Sequence, residues 1–237
     1  MEYKVSICIP TYEMLGKGTD YLDHSLSIIA NQTYKNIEIV VSDHSVDDGI
    51  KDLCLKWSEV LDINYIHNKS DRGNSSANLN NALIHANGGV IKTLFQDDYL
   101  LNDDAIELQL SSLIGNNAKW NVTSCMHTNN GVELIDVYYP KYTQDILLRN
   151  TISSPSVLML YRDCYEEFDN NLLWYMDTDV YYRLGKKYGE PSICEYATVV
   201  NRRHEYQITR TRVNTELIRK ETNYLIQKYE EINNTSK

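Results

Sequence analysis

The sequence predicts an α/β fold: a mostly parallel, mixed central sheet flanked by helices, with a further helix at the C-terminal end. Two observations predict it. Strand and helix patterns alternate three times over residues 5–90, which makes consecutive strands parallel and covers both sheet faces. Beyond residue 115 that alternation gives way to irregularly spaced strands, so the second half is mixed. A third observation concerns function: apolar runs end in carboxylates where Gly, Asn or Ser would be usual. At 237 residues there is room for one sizeable core.

Val5-Ser6-Ile7-Cys8-Ile9 is the first strand, and Pro10 is expected to end it because proline cannot donate to a central ladder. Thr11, Tyr12 and Glu13 then occupy a loop at the carboxyl end of a strand, the rim where open α/β sheets bind ligands. Leu22, Leu26 and Ile29 recur at helical spacing over Asp20 to Asn31. Residues 36–41 form the second strand, followed by the acidic loop Ser42 to Gly49. Ile50, Leu53, Cys54, Trp57 and Leu61 mark the next helix, and residues 64–67 the third strand. A helix bearing Leu79, Leu83 and Ala86 stops at Asn87-Gly88-Gly89, and the fourth strand, Val90 to Gln96, runs into Asp97-Asp98.

A helix with Ile106, Leu110, Leu113 and Ile114 follows, ending at Gly115-Asn116-Asn117. Strands are expected at Trp120 to Met126, Val132 to Tyr138 and Ser156 to Leu160, with a short helix near Thr143 to Arg149. A second acidic cluster, Asp177-Thr178-Asp179, leads into a helix over Val180 to Lys187. Ile193 to Val200 is the last strand, and Ile218, Leu225, Tyr229 and Ile232 define the final helix.

The net charge of −10 disfavours a nucleic-acid binder, whose affinity comes from Lys and Arg neutralising phosphates. Residues 201–237 depart from that average, with eight Lys and Arg against five Glu. Such an end suits phosphates, an anionic membrane surface, or plain packing of a helix. Five cysteines without C-x-x-C spacing indicate neither a disulfide framework nor a zinc site, so a reducing cytoplasm is the expected compartment. Neither a signal peptide nor a membrane-spanning run is visible.

Two adjacent carboxylates at a strand end suit a hard divalent cation. Mg²⁺ and Mn²⁺ take one or two protein carboxylates and draw their remaining ligands from water and phosphates. The competing reading is that Asp97 and Asp98 start a loop before the helix opened by Asn102-Asp103-Asp104. Asp177 and Asp179 likewise have a capping reading at a helix N-terminus. The glycine loops G-x-G-x-x-G and Walker A are missing, because Pro10-Thr11-Tyr12 follows the first strand. Diphosphate binding through a metal is then favoured.

Over residues 4–209 the chain resembles the inverting GT-A glycosyltransferases of glycosyltransferase family 2. Val5 to Tyr12 is similar to that family's opening strand and P-T/S-Y loop, and Asn31-Gln32-Thr33-Tyr34-Lys35-Asn36-Ile37-Glu38-Ile39-Val40-Val41 to its Q-T-Y-x-N-x-E-I-I-V-V segment. The family's D-D-G-S-T-D loop appears as Ser42-Asp43-His44-Ser45-Val46-Asp47, and its D-x-D motif as Gln96-Asp97-Asp98 with Gln for the first Asp. Met176-Asp177-Thr178-Asp179-Val180-Tyr181-Tyr182-Arg183-Leu184 resembles E-D-x-D-L-x-x-R-L with Met for Glu.

The resemblance implies that residues 1–100 bind a nucleotide sugar, residues 101–210 the acceptor, and that residues 211–237 form a helical appendage. Pro10, Thr11, Tyr12, Glu13 and Asp43 would hold the nucleoside, with Asp97 towards the ribose or sugar. Asp98 would hold Mn²⁺ or Mg²⁺, joined by His204 unless that residue is an exposed loop histidine. Asp177 would be the catalytic base. The implied donor is a UDP-sugar and the implied acceptor a glycan or lipid-linked glycan of surface polysaccharide synthesis, with Tyr138, Tyr139 and Tyr142 as aromatic candidates beside it. The implied location is cytoplasmic, with peripheral contact at the inner membrane face. A sugar-nucleotide pyrophosphorylase and a non-catalytic scaffold of the same fold are the competing readings.

Overall fold

The protein is described here by a computed structural model covering residues 3–235, with side chains for residues 3–230. Ile232 therefore lies outside the described side chains. Nine strands form one sheet: β1 (Val5–Thr11), β2 (Ile37–Asp43), β3 (Ile63–His67), β4 (Val90–Thr93), β5 (Tyr99–Leu100), β6 (Trp120–Thr128), β7 (Leu134–Tyr138), β8 (Leu158–Tyr161) and β9 (Ser192–Arg202). Their order is β3-β2-β1-β4-β8-β6-β9-β5, with β7 paired to β6. The run from β3 to β4 is parallel. β8 is antiparallel to both β4 and β6, β9 is parallel to β6, and β5 is antiparallel to β9.

The apolar runs of β1, β2 and β4 are buried almost throughout, as expected of strands covered on both faces. The helices α1 (Gly18–Ala30), α2 (Gly49–Trp57), α3 (Ser75–Ile84) and α4 (Ala105–Gly115) bury Leu22, Leu26, Ile50, Leu79, Leu83 and Leu113 on the faces that the 3.6-residue period marks. In the mixed half Trp120 is fully buried; its Nε1 donates to the Gly189 carbonyl at 2.8 Å, and its ring stacks on Tyr181 of α5 (Met176–Tyr188).

Four local expectations change. Pro10 lies inside β1, paired opposite Ser42. In a parallel strand alternate residues face opposite neighbours, and Cys8 accepts from Leu94 on the β4 side while Thr11 accepts from His44 on the β2 side. Pro10 therefore faces the β4 side, beyond the end of that strand at Thr93, where no partner needs its missing N–H. β4 itself stops three residues short of Gln96. Residues 143–149 form turns instead of a helix, although Ile146 is fully buried. Tyr99–Leu100 forms a short strand that the sequence pattern did not indicate.

α6 (Ile208–Thr211) is one short turn, and α7 (Thr215–Thr235) packs back onto α5. Leu225 is fully buried, worth roughly 1.5–3 kcal/mol for such a side chain. Lys228, from the locally basic end, reaches inward: its Nζ lies 2.7 Å from Asp169 and 2.8 Å from Asp179. Tyr142 packs edge-on to Trp120, and its hydroxyl fills the space left by the missing side chain of Gly185. Tyr139 is exposed. No helix among the described residues is long and apolar enough to cross a membrane.

Candidate active site

The carboxyl ends of β1, β2 and β4 open onto a cleft of about 610 Å³. Pro10, Thr11, Tyr12 and Glu13 line one side of it. Thr11 is itself buried, whereas Tyr12 is over a third exposed and presents its ring. Glu13 lies 3.6 Å from Arg72. Asp43, the last residue of β2, is fully buried and absent from the cleft lining. Its Oδ1 accepts from the Ser45 amide at 2.9 Å and the Ser45 hydroxyl at 2.6 Å, and its Oδ2 from the Tyr65 hydroxyl at 2.8 Å. The residue at the cleft surface is instead His44, whose Nε2 lies 3.0 Å from the Ser70 carbonyl.

Gln96 explains its own departure from the family pattern. Its Oε1 accepts from the Tyr12 amide at 3.0 Å, while its Nε2 donates to the Tyr12 carbonyl at 3.0 Å and the Gly18 carbonyl at 2.8 Å. A carboxylate accepts only and could serve just one of these three groups. The side-chain amide thereby joins the loop after β4 to the loop after β1.

The two carboxylates that follow face different ways. Asp98 is buried, with Oδ2 accepting from Ser156 at 2.6 Å and Asn201 at 2.7 Å, and Oδ1 from the Arg202 amide at 3.1 Å. Burial and the neighbouring Asp97 push its carboxyl up to about 7, against the pull of those donors. Asp97 turns towards His204, whose Nε2 stands 2.8 Å from Asp97 Oδ2. Arg202 supports this turn from below: its Nε donates to the Asp97 carbonyl at 3.1 Å, and its guanidinium lies over the rings of Tyr21 and Tyr99.

Among the described residues no three His, Cys, Asp or Glu side chains converge. The Asp97–His204 pair offers one carboxylate and one imidazole at the cleft wall; the carboxylate suits Mg²⁺ or Mn²⁺, the imidazole favours the softer Mn²⁺, and water and a diphosphate would complete the shell.

Asp177 lines the same cleft from the first turn of α5. Its Oδ1 accepts from the Thr178 amide at 2.7 Å and its Oδ2 from Asn150 Nδ2 at 2.6 Å. Burial raises its carboxyl to about 7 despite these donors. Asp179, the other acid of this cluster, points away into an ionic contact with Arg183 and Lys228. Leu173 and Trp174 also line the cleft, as does Arg212, which donates to the Gly73 carbonyl at 2.8 Å.

A sequence model of glycosyl transferase family 2 matches residues 6–164. The chain belongs to glycosyl transferase family 2. Among its relatives is GlyA of Streptococcus pneumoniae, a glycosyltransferase 27% identical over 150 residues, a match covering 60% of this chain and 20% of GlyA. Another is WfgD of Escherichia coli, a UDP-Glc:alpha-D-GlcNAc-diphosphoundecaprenol beta-1,3-glucosyltransferase, 29% identical over 63% of this chain and 56% of WfgD. The chain thus spans between about a fifth and just over half of these relatives. Of solved structures, S. aureus TarS (residues 1–349) superposes with a TM-score of 0.66 at 19% identity, covering 84% of this chain and 60% of TarS. The mannosyltransferase PcManGT of Pyrobaculum calidifontis, solved with GDP-Man and Mn²⁺, superposes at 0.62 and 18% identity over 86% of this chain and 57% of PcManGT. These likenesses show that this family 2 protein has the GT-A fold.

Several residues of the site carry no local sequence signal. Ser156, Arg202 and Asn150 meet Asp98, Asp97 and Asp177 only through contacts made across the fold. The run Asn201-Arg202-Arg203-His204, four polar residues at the end of a buried strand, was the one indication available.

Proposed function

We propose that this family 2 protein transfers a sugar from a nucleoside diphosphate, with UDP favoured, to a hydroxyl of a glycan or lipid-linked glycan, inverting the anomeric centre. The observation that carries the reading is that one cleft is lined both by the Asp97–His204 pair and by Asp177, a carboxylate raised to about 7. The named activities of WfgD and the nucleotide sugars bound by TarS and PcManGT support the substrate class.

In this reading Asp97 and His204 hold the cation, and Asp98 anchors the turn that presents Asp97. Bound there, Mn²⁺ or Mg²⁺ would neutralise the leaving diphosphate. Tyr12 stacks on the base, and Thr11, Glu13 and His44 meet the nucleoside, with Asp43 supporting that surface from beneath. Asp177 takes the acceptor hydroxyl's proton on Oδ2, whose second lone pair is left free by the single bond from Asn150. Leu173 and Trp174 form the wall on which the acceptor lies.

Hydrolysis of a panel of nucleotide sugars with and without Mn²⁺ tests this directly. Metal-dependent release of a nucleoside diphosphate, greatest for a UDP-sugar, is expected. Pyrophosphate formation from a nucleoside triphosphate and sugar phosphate, without hydrolysis of any nucleotide sugar, would overturn it.

A further inference from the structure

The turn that carries Asp177 is held by a residue from the far end of the chain. Glu221 of α7 is almost fully buried, and its Oε1 accepts from the Leu173 amide at 2.8 Å. Its Oε2 accepts from the amides of Trp174 at 2.9 Å and Tyr175 at 3.1 Å. These are three successive N–H groups immediately before α5, whose own N-cap, Tyr175, makes no side-chain cap. Tyr175, the N-cap, has a helix-start N–H that needs an acceptor, and here the acceptor comes from another helix and also takes the two N–H groups of the turn leading in.

Asn150 fixes the side chain from the opposite side. Its Oδ1 accepts from the amides of Ile152 and Ser153, each at 2.9 Å. Two backbone donors on that oxygen leave the amide one orientation, with Nδ2 towards Asp177. The carboxylate therefore always meets a donor there.

We propose that Glu221 and Asn150 are positioning residues for Asp177: Glu221 sets the turn that presents it and Asn150 fixes its rotamer, which makes the C-terminal helix part of the catalytic apparatus. The inference rests on Asp177 being the base. It also ties Trp174 to α7, because the same clamp shapes the cleft wall beside the acid. The titratable groups facing Asp177 are Glu221 from α7 and Tyr181 from the next turn of α5; Asn150, from the connection between β7 and β8, is neutral. Glu221 holds the Asp177 proton more tightly, and Asn150 loosens it.

The two residues consequently make opposite predictions. The Asp177 carboxyl is titrated by ¹³C NMR in the native protein and in Asn150→Ala and Glu221→Gln, alongside the pH profile of Mn²⁺-dependent UDP-glucose hydrolysis. Asn150→Ala should move the titration up by about one unit and Glu221→Gln should move it down, with the acid limb of the profile following each. KM for UDP-glucose should change less than about threefold while kcat falls at least about tenfold, the pattern of lost transition-state positioning. Asn150 is exposed and its truncation removes, besides the Asp177 bond, only local bonds to residues 152 and 153, which keeps the test open should Glu221→Gln unfold. An Asp177 titration that stays in place in the folded variants overturns the proposal. A titration that moves while the rate profile stays put overturns instead the reading of Asp177 as the base.

Discussion

His204 Nε2 stands 2.8 Å from Asp97 Oδ2, while the adjacent Asp98 directs its oxygens at Ser156, Asn201 and the Arg202 amide. Neighbouring carboxylates thus do different work. Asp97→Asn should abolish Mn²⁺-dependent stabilisation by UDP and leave the melting temperature of the free protein within a few degrees. Asp98→Asn should cost about 1–3 kcal/mol, because an amide in that socket places donors against donors. Urea unfolding together with thermal shift in Mn²⁺ plus UDP separates the two, and equal loss of metal response without destabilisation in Asp98→Asn would contradict the division.

The raised carboxyl of Asp177 sets a pH dependence. A base acts only when deprotonated, so with its titration at about 7 the rate should climb through that pH and level off about one unit above it. Asp177→Asn should lower transfer by roughly 10²–10⁴ and preserve UDP binding. The stability sign is opposite to that of an ion-paired acid. A folded value above the unfolded one, about 3.9, favours the folded state at low pH, and that contribution is lost as pH rises from about 4 to about 7. At pH 8 Asp177→Asn should therefore melt no lower than the native protein, as calorimetry at that pH would show.

Gln96→Asp would restore the residue common in the family and should harm this chain. It removes both donors to the Tyr12 and Gly18 carbonyls and sets a carboxylate against them. A loss of about 1–3 kcal/mol is expected by urea unfolding, together with weaker UDP binding because Tyr12 loses its tether. Unchanged stability would show that the loop holds its shape without the amide.

Lys228→Met should unfasten α7. Asp179 would keep Arg183 and the Tyr229 hydroxyl, but Asp169 would lose its only cation among the described residues. Burial raises the Asp169 carboxyl, yet Lys228, the Asn171 amide and the Tyr224 hydroxyl outweigh it and hold it down at about 2. A depressed acid contributes stability above its unfolded value, about 3.9, and loses it as pH falls towards 2. Acid unfolding, followed by circular dichroism, should begin at a higher pH in Lys228→Met, with a loss of about 1–3 kcal/mol at pH 7 after allowance for the partial exposure of the lysine.

The parallel half was legible because periods of 2 and 3.6 are local properties, and β1 to β4 with their helices satisfy them over whole segments. Residues 143–149 form turns because only Ile146 is fully buried there, the segment's own bonds are mostly three-residue turns, and it is fastened from outside by Lys141 with Thr151 and by Thr178 on the Leu147 carbonyl. Within the site, the sequence singled out Asp97, Asp98 and Asp177. How the first two divide, Asp97 towards His204 and Asp98 into its own set of donors, depends on the tight turn closed by the Asp98 amide on the Phe95 carbonyl, and on donors more than fifty positions away. Asp43 looked like a rim residue because Ser42-Asp43-His44-Ser45 is polar throughout. β2 extends to Asp43, and Tyr65 with Ser45 draws the carboxylate inward.

Partners 107 positions apart in the chain, Asp97 and His204, meet only because β9 returns alongside β6 and pairs with β5. Contacts of such sequence separation are costly to close and form late. β1 to β4 pair with one another and with β8, all before residue 162, so that part of the sheet is specified by residues far from 204. A cleft that holds both the Asp97–His204 pair and a positioned Asp177 therefore depends on two long-range closures, β9 against β6 and β5, and Glu221 of α7 against the turn before α5.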